Sequence, residues 1–129
     1  FHRPETEAAA RLSGCKNIVE AVPAGSAVTL PQWGLTLDCI GPVPAGIRRV
    51  GIRAHHVTAV PERTSGAFHC TVERVIQDVF TTIVLLRPEQ AAPGAPPLRM
   101  ELEREAWRQL DHPGTLWVSV QPRDLLLLK

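Results

Sequence analysis

The sequence has no tyrosine, three phenylalanines and three tryptophans, Trp33, Trp107 and Trp117. A protein surface that stacks nucleic-acid bases needs aromatic platforms beside a basic groove. Here aromatics are scarce and the formal net charge is only +1, with lysine confined to Lys16 and Lys129. Neither a nucleic-acid partner nor attraction to an anionic membrane is implied. Trp107 and Trp117 are expected as core anchors, and Trp33, inside a Pro-Gln-Trp-Gly turn, at an edge or an interface. Cysteine is sparse too. Cys15, Cys39 and Cys70 are an odd, widely spaced set without a CxxC pair, which excludes a disulfide framework and points to buried thiols in a reducing cytosol. No apolar run approaches the ~20 residues of a membrane-spanning helix. The chain also lacks a G-x-x-x-x-G-K-(S/T) loop, a G-x-S-x-G elbow and an H-E-x-x-H pair, so no catalytic residue is assigned and no enzyme activity is expected of it.

What is present is a mildly hydrophobic chain of 129 residues, 44% of them apolar, enough for one ordinary domain or two very small ones sharing a core. Two stretches echo each other, one in each half: Val50-Gly51-Ile52-Arg53-Ala54-His55-His56-Val57 and Val118-Ser119-Val120-Gln121-Pro122-Arg123-Asp124-Leu125. Each reads as an alternating strand, a kink at a small residue or proline, and an apolar residue turning back. His55-His56 and Arg123-Asp124 should therefore occupy comparable corners. Short apolar segments punctuated by Pro and Gly fill residues 17–53, as expected of strands in a barrel or sandwich. In the second half Phe68, Cys70 and Val72 share one parity while Val75 and Val79 share the other, which predicts a β-bulge near Glu73 and Arg74. Residues 81–87 predict a central strand, residues 98–102 a strand with one wet face, residues 103–110 a helix of about two turns, and residues 115–121 a further strand. Residues 125–128 predict a closing strand or an apolar plug. The expected fold is all-β: an OB-like barrel built from about eight short strands and one small helix, with two related β units exchanging a strand inside one compact domain. Residues 1–13 read as a connector with one short helical turn over 6–12, and residues 14–129 as the domain, with sub-units of about 14–60 and 66–129. Opening on Phe1 rather than Met, the chain is expected to be a piece of a longer protein.

The adjacent His55 and His56 suggest a metal site completed by His69 or Cys70. Neighbouring strand residues point to opposite faces, so a turn in which one ring caps backbone and the other is solvated is the preferred expectation, and no metal is assigned.

Ser13-Gly14-Cys15-Lys16-Asn17-Ile18, after Phe1-His2-Arg3-Pro4, resembles the join that follows the nucleotide-binding domain of ATP-binding-cassette import ATPases. Val50 to Val57 stands where that family carries Ile-Arg-Pro-Glu, with Ala54 for the Pro and His55 for the Glu. Residues 68–75 and 118–128 resemble the remaining strands of its transport-associated OB (TOBE/Mop-like) domain. Gly14-Cys15-Lys16-Asn17 is most similar to the molybdate/sulfate type. The resemblance implies an accessory, regulatory C-terminal domain of an importer's ATP-binding subunit, pairing across a homodimer and sensing an oxyanion such as molybdate. It implies no cofactor for these residues, with ATP and Mg belonging to an adjoining ATPase domain. The partners implied are that ATPase domain, a homodimer partner and, indirectly, a membrane permease. The location implied is cytoplasmic, peripheral to the inner membrane.

The related molybdate-binding stretch opens Thr-Ser-Ala-Arg-Asn, with a Gly a few residues on. Thr64 and Ser65 match its opening, whereas Gly66-Ala67, Phe68 and Cys70 stand in place of the rest. An oxyanion site needs converging hydroxyls, N–H groups or an Arg fork. Thr64, Ser65, Arg53, Thr81 and Thr82 are the candidate ligands on that ground, with β-propensity and a solvated strand edge as the competing roles for the last three. His55 and His56, where the chain departs from the family signature, are the expected specificity corner. Two other readings stay open: a free OB module binding oligonucleotide or oligosaccharide, and a purely structural dimerisation element.

Overall fold

Alternation of apolar and polar residues divides the chain into short strands, and the computed structural model, which describes residues 6–129, pairs them into three antiparallel sheets. The strands are β1 (Asn17–Glu20), β2 (Val22–Ala24), β3 (Ala27–Leu30), β4 (Leu35–Asp38), β5 (Arg49–Ile52), β6 (Thr58–Ala59), β7 (Phe68–Gln77), β8 (Thr81–Pro88), β9 (Leu98–Glu103), β10 (Thr115–Ser119) and β11 (Leu125–Leu128). Two helices accompany them, α1 (Glu7–Leu12) and α2 (Arg104–Gln109). The sheet orders are β1-β5-β11, β2-β3-β4 and β6-β10-β7-β8-β9. Together they make a mostly β fold of OB type, a nearly closed barrel.

The echoing stretches fold alike. β5 runs into a single 3-10 turn at Ala54–His56, and β10 into another at Pro122–Asp124. The strand after each turn then pairs with the other copy: β6 lies on β10, and β11 lies on β5. This reciprocal exchange joins the two β units through one core. Val19, Val28, Leu30, Val50 and Ile52 from the first half pack with Cys70, Val84, Leu86, Met100 and Val118 from the second. A small satellite of Ala10, Cys15 and Leu128 seats α1 beneath β5 and β11.

The bulge falls where the change of parity places it: Val72 faces Leu86 and Arg74 faces Leu85, leaving Glu73 over. β8 lies between β7 and β9, and α2 buries Trp107. Three expectations need correction. There are more strands than the eight or so expected, and the helical turn expected over residues 6–12 is a second helix, α1. One extra strand, β2, runs through Pro23, which is tolerated because β2 is an edge and its missing N–H costs no ladder bond. Trp33 is only 1% exposed rather than at an edge. Its indole N–H donates to the Pro96 carbonyl at 2.8 Å, which pins the turn into the core. Trp117 is half-buried rather than a core anchor. Leu116 and Val118 take the inner face of β10, so parity turns Trp117 outward, where it lies against His69 with ring centroids 4.8 Å apart.

Candidate functional site

Three cationic side chains from separate elements line one cleft of about 190 Å³, together with Ser13, Gly14, Ala54, His55 and Glu101. Lys16 comes from the link between α1 and β1, Arg53 from the first corner, and Arg99 from β9. Against them stands one carboxylate, Glu101, so the cleft carries an excess of positive charge. Its size suits a small ligand rather than a drug-sized one.

Local chemistry fixes each wall. Thr6 caps α1 by accepting from the Ala9 N–H, and the helix ends at Gly14, whose φ of +90° is a left-handed conformation that glycine adopts without strain. The Cys15 N–H donates to the Ala10 carbonyl at 3.0 Å, which closes the helix end and projects Lys16 away from it. Arg53 donates to the Ser13 carbonyl at 3.0 Å and to the Ser13 hydroxyl at 3.3 Å. The Ser13 hydroxyl in turn donates to the Ala10 carbonyl. The guanidinium is thereby held in place with the rest of its five donors uncommitted. Asn17, 3% exposed, donates to the Arg99 carbonyl at 2.8 Å and accepts from the Arg99 N–H at 2.7 Å. β1 and β9 belong to different sheets, and this side chain binds them beside the cleft.

Of the candidate ligands read from the sequence, the structure places Arg53 in this cleft, with His55 from the specificity corner beside it. The others lie apart. Thr64 and Ser65 sit in the turn closed by the Thr64 N–H on the Pro61 carbonyl. Thr81 lines a shallow groove with Val79, Phe80 and Glu103 to Glu105 at the start of β8. Thr82 is fully buried, and its hydroxyl has no hydrogen-bond partner. Ser13, Lys16, Arg99 and Glu101 were not singled out as ligands. The sequence carried a signal for the first two, since they belong to the Ser13–Ile18 join. Arg99 and Glu101 showed only as the wet face of β9.

His55 and His56 split their roles. Their rings lie 4.2 Å apart, with His55 at the cleft and His56 Nδ1 3.7 Å from an Asp124 oxygen in the second corner. Equivalent positions of the two echoing stretches thus face each other. Among the described residues no group of three or more His, Cys, Asp or Glu side chains is placed to hold a metal ion. Burial pushes all three thiols up, Cys70 to about 12, and the Asp38 carboxylate adds to the effect at Cys39. At neutral pH they are protonated and weak as ligands or nucleophiles. No described helix is long and apolar enough to cross a membrane.

The architecture is shared with the cytoplasmic molybdate-binding protein ModG, in a crystal form with molybdate bound. The likeness has a TM-score of 0.72, covers 88% of this chain and 96% of that one, and carries 15% sequence identity. At that identity the likeness establishes a common fold. No protein-family model matches the sequence, and no curated protein does either.

Proposed function

We propose that this chain is an oxyanion-binding regulatory domain, with molybdate as the leading ligand, working as the accessory domain of an importer's ATP-binding subunit in the cytoplasm. One observation carries the binding half of this reading: Lys16, Arg53 and Arg99 converge on one small cleft opposite a single carboxylate. Charge-assisted hydrogen bonds from Arg and Lys are the strong means of holding a compact oxyanion. Arg53 is already oriented by Ser13, so little side-chain entropy is lost on binding. ModG, described as binding molybdate, has the same architecture, which supports the choice of oxyanion. The transporter half rests on the resemblance of the Ser13–Ile18 join and the two corners. Regulation then requires that the anion bind two states of the transporter with different affinity. ATP and Mg belong to the adjoining ATPase domain in this reading, and the permease is reached through it.

Calorimetric titration with molybdate, tungstate and sulfate at low ionic strength tests the binding half. Heat and a raised unfolding temperature are expected for at least one anion. Arg53→Gln should weaken binding by about tenfold or more, the scale of a hydrogen bond to a charged group. Absence of heat with all three anions at millimolar concentration sinks the binding half. The reading frame upstream tests the transporter half: a P-loop and its partner motifs are expected there, and another kind of domain would overturn it.

A further inference from the structure

In the hairpin joining β7 to β8, the β8 side is buried against the core and paired with β9, whereas every residue from Glu73 to Phe80 is exposed. β10 pairs with β7 only from Phe68 to Thr71, with one further bond from the Val72 N–H to the Gly114 carbonyl. Beyond that point one edge of β7 has no strand beside it among the described residues, while its other edge pairs with β8 as far as Gln77. The free edge is unpaired and carries apolar side chains among its charges, Glu73, Arg74 and Asp78. Val75 and Ile76 are 37% and 38% exposed, and Val79 and Phe80 at the tip are 68% and 82% exposed. An open edge is a template for strand pairing, and its charges together with the bulge at Glu73 guard it against any partner whose charges do not match. The turn at the end of the hairpin is held in place by Arg104. Arg104 donates to the Gln77 side chain and the Val79 carbonyl, and its backbone N–H donates to the Phe80 carbonyl.

We propose that this edge is a homodimer interface, with β7 of one copy pairing antiparallel to β7 of a second copy about a two-fold axis at Ile76. Backbone polarity allows that register, and side-chain charge selects it among the registers so allowed. The Asp78 N–H points into the hairpin, toward the Thr81 carbonyl. Strand alternation then turns the peptide groups of Val75 and Gln77 outward. Two outward residues must face each other in a hydrogen-bonded antiparallel pair, and Val75 opposite Gln77 meets that condition. The same register sets Ile76 against its own copy and Arg74 opposite Asp78 twice, once on each side of the axis. A closed two-fold contact requires this self-complementarity. The three strands β7, β8 and β9 of each copy become one continuous six-stranded sheet. The second copy is favoured over an unrelated peptide because the charges of this one strand satisfy themselves across the axis. The surface lies outside the cationic cleft and does not depend on what the cleft binds.

Sedimentation equilibrium over a range of concentrations tests the proposal on the whole chain. A dimer is expected. Arg74→Asp sets Asp against Asp, and Asp78→Arg sets Arg against Arg, so each variant alone should dimerise roughly tenfold or more weakly, as two cross-strand pairs are reversed at once. Mixing the two variants restores opposite charges at both positions and should recover the native affinity as a heterodimer. Circular dichroism should show an unchanged fold for both. Asp78→Arg also gives up the turn bond that its carboxylate accepts from the Val79 N–H, so Arg74→Asp, whose side chain makes no hydrogen bond among the described residues, is the reference variant. A wild-type chain that stays monomeric at about millimolar concentration, a dimer indifferent to both reversals, or failure of the mixture to recover would each overturn it.

Discussion

Asn17 does with a side chain what a neighbouring strand would do with its backbone. Its amide donates to and accepts from Arg99 at the edge of β9, and so closes an edge that would otherwise stay open there. Asn17→Ala strands both backbone groups of Arg99 and should cost about 2 kcal/mol, read from the midpoint of chemical denaturation. Because Arg99 lines the cleft, the same variant should also weaken anion binding, whereas substitution of an exposed residue of the 61–66 turn should do neither. Cys70 gives the residue scale a pH signature. Burial raises its thiol from 9.0 in the unfolded chain to about 12 in the native one. Between those values the unfolded chain gives up a proton that the native chain keeps, so stability falls as pH rises from about 9 towards 12. The contribution is complete below about pH 9. Unfolding temperatures measured from about pH 8 to about pH 10.5 should decline more steeply for the wild type than for Cys70→Ala.

Elements were legible where one strand carries its own signal. The bulge at Glu73 follows from a switch of parity within a single run, and the two corners follow from a repeat visible along the chain. The two tryptophans that moved show the limit. For Trp117 parity was available and points outward, but the lack of a basic groove to make it a stacking platform suggested the core. For Trp33 the deciding partners are the Pro96 carbonyl and the residues around Gln90, remote in sequence. The Trp33 turn explains why glycine follows it. Gly34 has φ of +64°, and a Cβ there would run into the backbone carbonyl of Gln90. Gly34→Ala should therefore destabilise by about 2 kcal/mol or more, from backbone strain and the displaced carbonyl together. An equivalent change at Gly46, where the added Cβ meets nothing within 4 Å, is the control for glycine substitution itself.

At the scale of the whole molecule, reciprocal pairing decides both folding and the site. β6 completes the second unit and β11 the first, so neither half carries its full set of strands. Fragments of residues 14–60 and 66–129 should each be unfolded alone, and mixing them should restore strand signal in circular dichroism. A half that folds unaided would contradict a shared core. The cleft was only partly legible for the same reason. Its walls come from residues as distant in sequence as Lys16 and Arg99, and nothing in either segment announces the other. Arg53 was found because an isolated Arg at a corner is visible; Lys16 sat in a recognised motif without an assigned role.

His56 and Asp124 stand at matching positions of the two echoing stretches, and they meet. Residues related by an internal two-fold can touch only near its axis. A pair of identical half-length chains would have to set like against like at that point, His on His or Asp on Asp. Linking the halves in one polypeptide lifts the constraint, because the two sides of the axis are then separate codons. The junction can thus carry an acid facing a base, and one cleft can acquire Lys16, Arg53 and Arg99 without its counterpart following.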